Sequence, residues 1–122
     1  MTLDEIKEFL GNDWKETDGL IRSSLRSDID LLNTTNEAIL EHSGKQLRPI
    51  VSLLVARACG NGKANEDSVS CAAASELLHN ATLLHDDVAD SSSERRGAPT
   101  VMAILGGPAS VLLGDYWQVK AM

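Results

Sequence analysis

Leu77-Leu-His-Asn-Ala-Thr-Leu-Leu-His-Asp-Asp-Val-Ala-Asp90 is an apolar segment that turns abruptly acidic. With Val69, Ala72, Ala73, Leu77, Ala81, Leu84 and Val88 at helical spacing, it predicts a long helix beginning at Asn65 or Asp67. On that helix Asp86 and Asp90 stack four residues apart, and Asp87 and Asp90 are three apart. Three like charges on one surface weaken an isolated helix and suit the negative end of its dipole poorly. A solvated acidic helix end is the plain reading. A divalent cation that screens the charges is the other, and carboxylate oxygens are hard ligands suited to Mg²⁺ bridging to phosphates.

The neighbouring residues favour the cation. Arg95-Arg96 follows within one short polar loop, and guanidinium groups hold phosphate oxygens as carboxylates hold the metal. His79 precedes Asp86 by seven and Asp90 by eleven, so the three share one helical face. Upstream, Lys45 and Arg48 flank a predicted helix start, where free N–H groups and the dipole already attract an anion. The aspartate spacing does not fit a calcium-binding loop of alternating ligands.

Working outward, the whole pattern is helical. Thr2 and Glu5 form a capping box ahead of Leu3, Ile6, Phe9 and Leu10, and Gly11-Asn12 breaks that helix. One longer helix is expected from Trp14 to Leu40, ending at His42-Ser43-Gly44. Pro49 suits the first turn of the next, which Gly60-Asn61-Gly62 stops. A short helix at Thr100–Leu105 and a last one from about Ala109 complete the chain. That last helix is still apolar at Met122, as expected of a chain cut inside a larger helical domain or of a helix that meets a partner. There is no internal repeat, no linker and no strand pattern, so the fold class is all-α, in a single segment over residues 1–122.

The composition agrees. Hydrophobic residues make up 43% of the 122 and charged residues 24%, a globular balance, while aromatics at 3% leave the core to aliphatic side chains. A net charge of -7 argues against nucleic-acid binding and against charge-driven docking on anionic lipid. Cys59 and Cys71 stand in Ala-rich surroundings and are expected to be small buried residues in a reducing compartment. No signal peptide and no membrane-spanning run is present, so a cytoplasmic location is expected.

From Ser43 to Asp115 the sequence resembles the trans-prenyl diphosphate synthases, or polyprenyl synthetases. The residues carrying the resemblance are Gly44-Lys45-Gln46-Leu47-Arg48-Pro49, Glu76-Leu77-Leu78-His79, His85-Asp86-Asp87-Val88-Ala89-Asp90, Arg95-Arg96-Gly97, Pro99-Thr100-Val101 and Leu112-Leu113-Gly114-Asp115-Tyr116. The resemblance implies the N-terminal helices of the isoprenoid synthase bundle, usually homodimeric, with the C-terminal part of that domain absent. It implies a prenyltransferase of isoprenoid biosynthesis that condenses isopentenyl diphosphate head-to-tail with an allylic diphosphate such as farnesyl diphosphate. The allylic C–O bond ionises, the alkene attacks the cation, and a proton is lost to the released diphosphate.

By the same resemblance Asp86, Asp87 and Asp90 hold Mg²⁺, and Arg95 contacts the allylic diphosphate. Lys45, Arg48, His79 and Arg96 hold isopentenyl diphosphate. Ala81 and Thr82 stand where family members set product length, and their small size implies a long-chain product of the heptaprenyl, octaprenyl or solanesyl kind. Two departures stand out. Ser43 replaces the first of two glycines before Lys45, and the family's second aspartate-rich motif is not in this sequence. Half of a bipartite site is expected to be inactive alone, so the other reading is a truncated helical module that self-associates or assists another subunit.

Overall fold

The computed structural model describes residues 2–41, 45–90, 94–95 and 98–122, apart from the side chains of Arg95, Ala98 and Met102. The expected break at His42-Ser43-Gly44 lies outside them. Helix dominates: α1 (Leu3–Leu10), α2 (Asn12–Leu25), α3 (Asp30–Glu41), α4 (Leu47–Cys59), α5 (Glu66–Ala89), α6 (Val101–Leu105) and α7 (Gly107–Ala121). The chain divides into two compact units, Met1–Arg26 with Lys45–Glu76, and Ser27–Gly44 with Leu77–Met122.

The first unit begins with the expected capping box. Glu5 N–H donates to Thr2 Oγ1 at 3.2 Å, and Thr2 N–H donates to Glu5 Oε2 at 3.3 Å. Gly11 turns the chain from α1 into α2 at φ +55°, a conformation that costs a side-chain-bearing residue free energy. The core is Leu10, Ile50, Leu53, Val69 and Ala72, with Leu3, Ile6, Trp14, Leu20 and Leu54 packed around it. Each fully buried leucine or isoleucine stabilises by about 1.5–3 kcal/mol. Arg57 closes the end of α1: Nε meets Asp13 Oδ2 at 2.8 Å, and the other guanidinium nitrogens donate to the Phe9 and Leu10 carbonyls at 3.1 and 2.7 Å.

The single helix expected from Trp14 to Leu40 is in fact two. Arg26 is extended, at φ -65° and ψ 137°. In the second unit, Asn33 Oδ1 accepts from Ser27 N–H at 2.9 Å and Asn33 Nδ2 donates to Ser27 O at 2.8 Å. Ser27 Oγ also accepts from Ile29 N–H at 3.1 Å. These side chains supply the backbone partners that a continuous helix would have supplied.

The second unit buries Leu40, Leu77, Ala81, Leu84, Leu113 and Trp117. Trp117 Nε1–H donates to buried Asn36 Oδ1 at 2.9 Å, tying α7 to α3. A two-residue antiparallel pair, β1 (Glu94–Arg95) with β2 (Ala98–Pro99), was not expected from the sequence. Thr100 caps α6, its Oγ1 accepting from Ala103 N–H at 3.1 Å. The last helix starts at Gly107, two residues before the expected position, with Pro108 in its first turn.

Cys59 and Cys71 are both exposed and unpaired, contrary to the expectation of burial. Ala-rich surroundings in sequence did not reveal which helical face each thiol occupies. No helix of the described residues is long and apolar enough to cross a membrane.

Candidate functional site

The acidic end of α5 has two sides. Asp86 and Asp90 are exposed, whereas Asp87 is buried with 4% of its surface accessible. The expected face of three equivalent carboxylates is therefore a pair, and the cause is angular. At about 100° per residue, Asp86 and Asp90 differ by roughly 40° around the helix, while Asp87 is turned roughly 100° from Asp86 toward the interior. His79 falls between the exposed two in direction and is half-buried.

Asp87 joins Asn80, Leu83 and Leu84 on the wall of an apolar cavity of about 350 Å³, completed by Leu31, Ile39 and Ile104 among others. Asn80 is itself buried, at 4% accessible. Sequence reading missed the polar stripe Asn80–Asp87; its seven-residue spacing was the available signal.

Neither Asp86 nor Asp90 has a side-chain hydrogen bond or ion pair among the described residues. Their backbones complete the last helical turn, with Asp90 N–H donating to Asp86 O at 2.8 Å. Among the described residues, no three His, Cys, Asp or Glu side chains converge as a ready-made cation cage. Two exposed carboxylates on successive turns fit Mg²⁺, which fills its shell largely with water and substrate oxygens. They do not make a closed protein-only site.

Beyond α5, the β1–β2 pair fixes the backbone of Arg95 opposite Ala98. Arg96 lies outside the described residues. In the first unit, Gln46 adopts the left-handed conformation at φ 54° and ψ 44° and starts α4. Lys45 and Arg48 flank it, both exposed. No acid stands in the first turn of α4, so that end keeps its attraction for an anion.

The two small residues upstream of Asp86 differ in environment. Ala81 is buried, at 1% accessible, and its carbonyl lies 3.3 Å from where a side chain on Gly114 would begin. Thr82 is exposed, its hydroxyl donating to His79 O at 2.6 Å.

Comparison with known proteins matches this frame. The sequence model of the polyprenyl synthetase family matches residues 29–122. Octaprenyl diphosphate synthase of Escherichia coli is 42% identical over 122 residues, covering 99% of this chain and 37% of that protein. A decaprenyl diphosphate synthase from Rhodobacter capsulatus superposes with a TM-score of 0.89 at 36% identity, over 98% of this chain and 37% of that one. A polyprenyl synthase from Caulobacter crescentus, solved with calcium and isoprenyl diphosphate, superposes with a TM-score of 0.87, also at 36% identity, over 98% of this chain and 36% of that one. The chain thus spans little more than a third of the length of these relatives.

Proposed function

Because the chain belongs to the polyprenyl synthetase family, we propose that it carries the Mg²⁺- and diphosphate-binding half of a long-chain trans-polyprenyl diphosphate synthase. The observation that carries this reading is the exposed pair Asp86, in the last turn of α5, and Asp90, just past its end, with His79 on the same face. Asp86 and Asp90 hold the metal, and Asp87 supports them from inside the fold. His79, Lys45, Arg48 and Arg96 hold isopentenyl diphosphate, and Arg95 holds the allylic diphosphate. Bound Mg²⁺ supplies charge neutralisation of the leaving diphosphate. The chain's own contribution is position and charge rather than a side-chain nucleophile.

The calcium and isoprenyl diphosphate bound by the Caulobacter crescentus relative support a divalent cation paired with such a ligand. Ala81 and Thr82, both small, support a long product. The complete enzyme is proposed to be a cytoplasmic homodimer that takes farnesyl or a related allylic diphosphate.

The test is calorimetric binding of inorganic diphosphate to the chain with and without Mg²⁺, followed by incubation with farnesyl and isopentenyl diphosphates. Metal-dependent binding that Asp86→Asn and Asp90→Asn each abolish is the expected result. Equal binding without metal, or in both variants, overturns the reading. Chain elongation by the purified chain would exclude the alternative of an inactive helical module.

A further inference from the structure

The back of α5 is built as regularly as its acidic front. A side chain at Gly107 would begin 3.7 Å from Val88 Cγ1. Ser110 Oγ donates to Leu84 O at 2.8 Å. His85 Nε2 then lies 3.2 Å from Val111 O and 3.1 Å from Asp115 Oδ1. Both neighbours are acceptors, so this nitrogen carries the hydrogen. The imidazole rests on the Cα of Gly114, where an added Cβ would collide with ring atoms Cδ2 and Nε2.

On α7 these positions fall at intervals of three, four and seven, which is one helical stripe. On α5 they are answered by Ala81, Leu84, His85 and Val88. That stripe centres about 170° around the helix from His79, Asp86 and Asp90. The seam with α7 therefore grips α5 from directly behind the proposed metal face.

We infer that His85 is a positioning residue, which fixes the rotation of the last turns of α5 and so the direction of Asp86 and Asp90. This rests on the proposed role of those two carboxylates. The His85 and Asp115 side chains are 35% and 58% exposed, so their contact adds little stability. What it supplies is orientation: a rigid ring, one directed N–H, and a glycine floor on which a Cβ would displace the ring. His85 stands immediately before Asp86, so a shift of its ring is passed on within one residue.

The test uses the whole chain and two readouts. Amide exchange at Asp90, which bonds back to Asp86 O, reports anchoring without metal. Electron paramagnetic resonance titration with Mn²⁺ and inorganic diphosphate reports the carboxylate face. His85→Ala and Gly114→Ala are each expected to speed Asp90 exchange and to weaken Mn²⁺ binding roughly tenfold, the lower end for residues supporting metal ligands. The thermal midpoint is expected to move by less than about 5 °C. His85→Gln, which keeps an N–H donor at similar reach, is expected to restore both readouts. Gly114→Ala is expected to have a much smaller effect in the His85→Ala background than in wild type, because the ring it displaces is gone and only the 3.3 Å approach to Ala81 O remains.

Exchange and affinity within twofold of wild type in His85→Ala overturn the inference, as does a Gly114→Ala effect that is equal with and without the imidazole. Should His85→Ala not fold, a Gly114→Ala chain that matches wild type in both readouts overturns it as well. Loss of Mn²⁺ binding in the wild type would sink the proposed function instead, while the exchange comparison still decides the anchoring.

Discussion

Asp86 and Asp87 are adjacent in sequence and opposite in circumstance: the first is exposed, the second is 4% accessible and lines an apolar cavity. Their variants should separate. Asp86→Ala is expected to leave stability within about 0.5 kcal/mol of wild type, as surface substitutions do, and to abolish metal-dependent diphosphate binding. Asp87→Ala removes a buried, engaged carboxylate and is expected to cost about 1–3 kcal/mol. Urea denaturation beside calorimetric binding checks both. Equal destabilisation by the two variants would mean that Asp86 is structural.

Arg57 makes a different kind of prediction, because its role is confined to the first unit. Its guanidinium joins Asp13 and two carbonyls at the end of α1 and lies 5.2 Å from the Phe9 ring centroid. Arg57→Ala is expected to lower the unfolding free energy by about 2–3 kcal/mol, since charge-assisted bonds are lost and carbonyls are left unsatisfied. Arg57→Lys should recover less than half of this, because an ammonium cannot span three acceptors in the geometry of a planar fork. The urea midpoint measures both. An Arg57→Lys chain as stable as wild type would show that charge alone suffices.

The helices were legible where periodicity and caps agree. Thr2 with Glu5 set the start of α1, Gly11 its end, and the apolar spacing from Val69 to Val88 gave α5. The break at Arg26 was not legible, because hydrophobic spacing runs through it and the reciprocal Ser27–Asn33 bonds depend on a fold already formed. The same holds for the site. Spacing put His79, Asp86 and Asp90 on one face, but it could not say that Asp87 turns inward, since that depends on what α3 and α6 place beside it. His85 stands in a motif that carries the resemblance, but nothing in the sequence gave it a role of its own. Its partner Asp115 stands thirty residues on, and only the packing of α7 joins them.

Trp117 and Asn36 form a buried pair whose coupling can be measured. Trp117 is completely buried, and its indole N–H donates to Asn36 Oδ1 at 2.9 Å. Asn36→Leu strands that donor and is expected to cost about 1–3 kcal/mol. Trp117→Phe costs packing as well, but in the Asn36→Leu background part of its penalty is already taken. The double-mutant cycle should give a coupling of about 0.5–2 kcal/mol by urea denaturation. A coupling near zero would mean that another acceptor serves the indole.

Ala81 and Thr82 are both small, but the structure gives their enlargement different costs. Ala81 is buried in the seam beside Gly114, where the two helices approach closely. Ala81→Phe therefore overpacks that seam and is expected to destabilise by about 1–3 kcal/mol or more. Thr82 is exposed and makes one local bond to His79 O. Thr82→Phe is expected to stay within about 0.5 kcal/mol of wild type. The midpoint of thermal unfolding, followed by circular dichroism, ranks the two. If an aromatic at residue 81 is tolerated as well as one at 82, there is open space behind Ala81 and its small size serves a ligand rather than helix packing. If the ranking holds, residue 82 is where an aromatic can test the proposed control of product length without overpacking the seam beside Gly114.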